Sequence, residues 1–118
     1  MQFNNLLDLV IHILNEMKAQ DIANLDVRHL TSVTDHMIVC SATSSRQAKA
    51  IADKLVTECK QQGFKPLGME GQDSNEWILV DLGDIIVHIM LAQTREFYNL
   101  EKLWAMTEKK KQASHGEN

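Results

Sequence analysis

Residues 76–90, EWILVDLGDIIVHIM, decide the fold, because they read as two strands folded back over one short turn. Gly83 and Asp84 lie between two apolar, β-branched runs, the pattern of a two-residue hairpin. Placing Leu82 opposite Ile85 fixes the rest of the register. Asp81 faces Ile86, Val80 faces Val87, Leu79 faces His88, Ile78 faces Ile89 and Trp77 faces Met90. Side chains alternate between faces along a strand. One face then carries Ile78, Val80, Leu82, Ile85, Val87 and Ile89, all aliphatic, and must be core. The other carries Trp77, Leu79, Asp81, Ile86, His88 and Met90, where a carboxylate and an imidazole resist burial without partners. Two readings of this second face stay open. Either a helix covers it, with Asp81 and His88 hydrogen-bonded near the margin, or it is an exposed or half-exposed apolar patch. Trp and Met are enriched in patches that dock other proteins.

The rest of the chain supplies what packs on this hairpin. Residues 5–19 space Leu6, Val10, Ile13, Leu14 and Met17 as an amphipathic helix. NLDVRHL (24–30) and HMIVCSA (36–42) read as strands joined by TSVTD. SSRQAKAIADKLVTECKQQG (44–63) is the clearest helix. Ser44 and Gln47 fit a capping box, Ala48, Ile51, Ala52, Leu55 and Cys59 form its stripe, and Gly63 stops it. FKPLGMEG (64–71) reads as a short strand that Pro66 confines to an edge or strand end. TREFYNLEKLWAM (94–106) reads as a last short helix with Phe97, Leu100 and Trp104 on one side. The order α-β-β-α-β-β-β-α predicts an α/β domain with a mixed sheet of about five strands and flanking helices. HMIVC, the capped helix and FKPLG form a natural parallel crossover.

With 118 residues, 44% hydrophobic and 24% charged, the chain is expected to form one globular domain over residues 1–108. Residues 109–118, KKKQASHGEN, are expected to be a disordered tail. No apolar run approaches the ~20 residues a membrane helix needs, and the N-terminus lacks a basic leader region and a cleavage site. Cys40 and Cys59, without metal-ligand spacing, read as buried reduced thiols of a cytoplasmic protein. Residues 1–108 hold nine basic and 15 acidic residues, a net charge of −6. Such a body is a poor phosphate binder and is drawn to a basic partner. The run Lys109–Lys111 reads as a solvated tail.

Catalytic patterns are absent. His12, His29, His36, His88 and His115 are dispersed and no metal-ligand spacing joins them. CSATSSRQ (40–47) lies at a strand-to-helix junction but lacks the glycines of a phosphate loop, so its serines read as caps. Asp81 and Asp84 straddle a turn, Asp26 and Asp35 belong to other elements, and there is neither a D-x-D pair nor a G-x-S-x-G elbow. Neither an enzyme nor a bound cofactor or metal is expected.

Several motifs in one order then carry a resemblance: D-x-x-x-L-D-V from Asp21, S-x-R-Q from Ser44, E-G at Glu70, W-x-L-x-D-x-G-D from Trp77, V-H at Val87, and R-x-F-Y-x-L-E-K-L-W from Arg95. Over residues 21–104 the chain resembles the bacterial ribosomal silencing factor family, related to plant Iojap. The resemblance implies a fold similar to the nucleotidyltransferase core without its catalytic acids. It also implies binding to the large ribosomal subunit through the fourteenth large-subunit ribosomal protein. Bound there, such a factor blocks association with the small subunit and represses translation under nutrient limitation. Trp77, Asp81, His88 and Met90, with Glu70 and Arg95 nearby, are the residues expected to face the partner, with little direct nucleic-acid contact. For Glu70, Asp35 and Arg95 the alternative is an internal network ordering loops. Leu82 stands where the family pattern has an aromatic, Met90 where Phe is common, and His36 where Tyr is frequent. Two other uses of the chain are a nucleotidyltransferase-like nucleotide-binding enzyme and a homodimer through the Trp77 face.

Overall fold

The computed structural model describes residues 5–73, 76–100 and 102. The expectations for Trp104 and for the lysine tail lie outside the described residues. The elements follow the expected order, and the five strands form one mixed sheet.

Helix α1 (Leu6–Glu16) starts at Asn5, whose side chain accepts the Asp8 N–H at 2.8 Å. It buries Leu6, Leu9, Val10, Ile13 and Leu14. Its end is closed by Lys18 N–H on the Asn15 carbonyl and Ala19 N–H on the Leu14 carbonyl, the pair of bonds of a Schellman stop. Lys18 takes the left-handed position there (φ 62) that glycine usually fills.

Strand β1 (Gln20–Asp26) pairs antiparallel with β2 (His36–Ala42). The first strand thus begins and ends about four residues earlier than NLDVRHL suggested. The reason is local. Asp26 accepts both the Arg28 backbone N–H (3.1 Å) and its guanidinium (2.6 Å), turning the chain out of the strand. The Val27 carbonyl then accepts from Leu30 and Thr31. One extra residue between Gln20 and Ala23 bulges β1, with Asp21 at φ 50.

Helix α2 (Ser45–Gln61) is capped by the Ser44 hydroxyl, which accepts the Gln47 N–H at 3.1 Å. The reciprocal half of the capping box lands one residue early. Gln47 Oε1 accepts the Thr43 N–H (2.6 Å) and hydroxyl (2.8 Å), while its amide nitrogen donates to the Met17 and Lys18 carbonyls. A single side chain therefore ties the start of α2 to the end of α1. Gly63 (φ 90) and Phe64 close the far end on the Lys60 and Cys59 carbonyls.

Strand β3 (Gly68–Glu70) is the short edge strand expected beyond Pro66. β4 (Trp77–Asp81) and β5 (Ile85–Leu91) form the hairpin in the register read from sequence, from Trp77 opposite Met90 to Asp81 opposite Ile86. Leu82 N–H bonds the Ile85 carbonyl at 2.9 Å across the Gly83–Asp84 turn. The strand order is β1-β2-β5-β4-β3, with β2 and β5 the parallel pair. β3 does run parallel to β2 after the α2 crossover. It is not its neighbour, because the hairpin inserts both of its strands between them.

Helices α1 and α2 cover one sheet face, where Ile38, Cys40, Ile78, Val80, Val87 and Ile89 are fully buried. Each large aliphatic side chain there contributes about 2 kcal/mol of burial. Both cysteines lie in this core unpaired, and burial pushes the thiols of Cys40 and Cys59 up to about 12 and about 11. Helix α3 (Ala92–Tyr98) leaves β5 without a loop and packs at one end of the opposite face. Asn99, left-handed at φ 49, ends it, so the stripe expected through Phe97 does not form: Phe97 is 81% exposed.

Candidate docking surface

The second sheet face is assembled from alternate residues of all five strands. One row runs Ala23, Val39, His88, Leu79 and Glu70; the next runs Leu25, Met37, Ile86, Asp81 and Gly68. Val27, Met37, Val39 and Met90 form a small second core here, with Leu25, Leu30, Trp77 and Leu100 packed on it. Leu79, Asp81 and Ile86 stay half-buried, whereas their counterparts on the helix-covered face are sealed. The face is therefore neither of the two simple alternatives. A small core supports it near β2 and α3, and it opens towards β4 and β3.

Trp77 sits at the boundary. Its indole N–H donates to Nδ1 of His88 at 2.9 Å, and the two rings lie 5.8 Å apart. On its other side Tyr98 packs at 4.8 Å, and Phe97 meets Tyr98 edge-on at 5.0 Å. Four rings thus run from the interior to solvent: His88 at 5% exposed, half-buried Trp77, Tyr98 at 52%, then Phe97. Beside them lies an open groove of about 570 Å³ lined by Glu76, Trp77, Gln93, Thr94, Phe97 and Tyr98.

His88 is neutral. Burial pushes its imidazole down from the ordinary 6.5 to about 4. Because Nδ1 accepts the indole proton, the ring proton resides on Nε2, which is buried and finds no protein partner among the described residues. A buried donor without an acceptor costs about 1–3 kcal/mol.

The expected partner-facing residues separate in this geometry. Trp77 and His88 touch, and Met90 lies beneath them, fully buried. Met90, fully buried, and His88, 5% exposed, lie beneath the face and support it from below, where the sequence reading has them facing the partner. Half-buried Asp81 accepts the Gly83 N–H at 2.9 Å and so holds the hairpin turn. Glu70 is exposed on β3, next to Leu79 in the register. Arg95 donates to the buried Ser41 hydroxyl at 2.9 Å, fastening α3 to β2. Asp35 serves through its backbone, donating to the Asp84 carbonyl and accepting from Val27. Tyr98, Leu79 and Ile86 were missed as candidates. Tyr98 stands inside the R-x-F-Y motif, and Leu79 and Ile86 were already assigned to the right face.

Among the described residues no group of three or more His, Cys, Asp or Glu is placed to hold a metal, and no helix is long and apolar enough to cross a membrane.

The family model described as "Ribosomal silencing factor during starvation" matches residues 1–118. The chain is 52% identical over 100 residues to the ribosomal silencing factor of Haemophilus influenzae, covering 85% of this chain and 98% of that protein. It is 39% identical over 90 residues to the chloroplastic protein Iojap of Zea mays, covering 76% of this chain and 39% of that one. A crystal structure of a Chromobacterium violaceum protein superposes with a TM-score of 0.83 at 41% identity, covering 89% of this chain and 88% of that one.

Proposed function

We propose, from the premise that this chain belongs to the ribosomal silencing factor family, that it silences by occupancy. In this reading it docks on the large ribosomal subunit through the fourteenth large-subunit ribosomal protein. Seated there, it sterically blocks association with the small subunit and represses translation when nutrients are scarce. It works in the cytoplasm, without cofactor or catalysis.

One observation carries the reading: the half-buried Trp77 at the edge of a sheet face whose Leu79 and Ile86 stay partly open. Trp in such a position is a frequent interface anchor, and half-buried aliphatic neighbours supply area that a partner can exclude from water. The acidic body, −6 over residues 1–108, complements a basic ribosomal protein. Blocking subunit joining asks only for affinity and bulk.

Co-sedimentation with isolated large subunits, and slowed reassociation with small subunits at micromolar protein, test it. Trp77→Ala is the informative variant, since Asp81→Ala would also loosen the hairpin turn. Trp77→Ala is expected to weaken subunit binding at least about tenfold, the effect of losing a ~1.4 kcal/mol contact. Wild-type protein that neither binds nor slows joining refutes the reading. Self-association through the same face would compete, and mass measured at several concentrations detects it.

A further inference from the structure

We propose that His88 is a positioning residue: it fixes the orientation of the Trp77 indole at the docking face and never touches the partner. The proposal rests on the docking role assigned to Trp77 above. Three observations lead to it. His88 is 5% exposed and out of a partner's reach. Its imidazole Nδ1 accepts the Trp77 Nε1–H at 2.9 Å, its side-chain hydrogen bond among the described residues. Its other nitrogen is buried with no partner among the described residues.

The third observation removes the simplest alternative. Its neighbours along β5, Ile85, Ile86, Val87, Ile89 and Met90, are all apolar. An apolar residue at 88 would leave no donor stranded, so stability alone favours one there. What the imidazole provides, and an apolar side chain does not, is an acceptor aimed at the indole N–H. With Tyr98 stacked at 4.8 Å on the other side, the Trp77 ring is held from two directions. A partner then meets an already ordered anchor and loses less side-chain entropy on binding.

The test compares His88→Leu with His88→Asn, whose side-chain oxygen falls near the position of Nδ1. The chain has two tryptophans, so nitrogen-15 labelling gives two indole signals, and Trp104→Phe assigns them. Three readouts are taken: solvent exchange of the Trp77 indole proton, binding to isolated large subunits, and the thermal midpoint. His88→Leu is expected to speed indole exchange and to weaken subunit binding, each about tenfold, as the loss of one hydrogen bond does. Its thermal midpoint stays at or above that of the wild type. His88→Asn restores both exchange and binding to within about threefold of wild type. The proposal is overturned if His88→Leu leaves the indole signal or the binding unchanged. It is equally overturned if Leu and Asn lose binding together with a lowered midpoint, the mark of a merely structural residue. If wild-type protein fails to bind subunits, the docking reading falls and takes the functional half with it. The exchange measurement still decides whether His88 holds the ring.

Discussion

At residue 71 a Cβ would sit 2.1 Å from the Trp77 carbonyl oxygen, and the backbone there has φ +91, so contact and conformation both demand glycine. That gives the E-G motif a physical meaning: the chain leaving β3 crosses directly against the start of β4. Gly71→Ala is expected to lower stability by about 2 kcal/mol or more, measured as a reduced urea midpoint. Because the clash is with the Trp77 backbone, the same change should also disturb the indole. His88 sets a second residue-level expectation. Its folded-state pKa of about 4 lies below the ordinary 6.5, so between those values the unfolded chain binds a proton that the folded chain refuses. Stability from this group is therefore complete above about pH 6.5 and is lost as pH falls towards 4. The loss approaches about 3 kcal/mol from a depression of this size. Urea titrations from pH 7 to pH 4.5 should show a steeper acid decline for wild type than for His88→Leu. Parallel declines would mean that His88 is hydrated in solution.

At the scale of elements, the two long helices share one design and differ at one residue. Both end in the same pair of stop bonds, with Gly63 at φ 90 in α2 and Lys18 at φ 62 in α1. A side chain in the left-handed region costs about 1 kcal/mol, and the bonds around Lys18 use only its backbone. Lys18→Gly should accordingly raise stability by up to about 1 kcal/mol, seen as a higher thermal midpoint; a drop would show that the lysine side chain contributes packing. Element identity and order were legible in the sequence because each strong signal was local: period-two apolar runs, the Ser44 cap, the Gly83 turn. The hairpin register was legible to the residue, since a one-residue slip would have put Asp81 and His88 among the aliphatic side chains. The limits of β1 were not legible, because the local Asp26–Arg28 turn interrupts a β-branched run that reads as continuous strand, and because the Val27 N–H bonds the Asp35 carbonyl across the loop. The site was half legible. Both faces of the hairpin were assigned correctly, but the depth of His88 and Met90 depends on β2, whose Val39 and Ser41 flank them. Helix α3 misled for the opposite reason. It buries no residue, so tertiary contacts through Arg95 and Tyr98, not its apolar spacing, decide where it lies.

For the whole molecule, charge and surface assign different tasks to different parts. The body carries −6, and residues 109–118, with three lysines and Glu117, bring the full chain closer to neutral, at −4. Docking on a basic protein and docking on ribosomal RNA then predict opposite outcomes when the tail is neutralised. Replacing Lys109, Lys110 and Lys111 with alanine takes the net charge from −4 to −7. If the acidic body meets a basic protein surface, this change leaves affinity for large subunits equal or higher. The association rate would still fall several-fold as salt rises from ~20 to ~200 mM, because screening removes the steering attraction. If the lysines instead grip phosphates, affinity falls, and the salt slope flattens by up to about three counterions, close to one per lost contact. Association and dissociation rates on immobilised large subunits, measured across that salt range for both proteins, separate the two. The proposed docking through Trp77 requires the first pattern: steering confined to the association rate, and a dissociation rate that responds to Trp77→Ala and not to the tail.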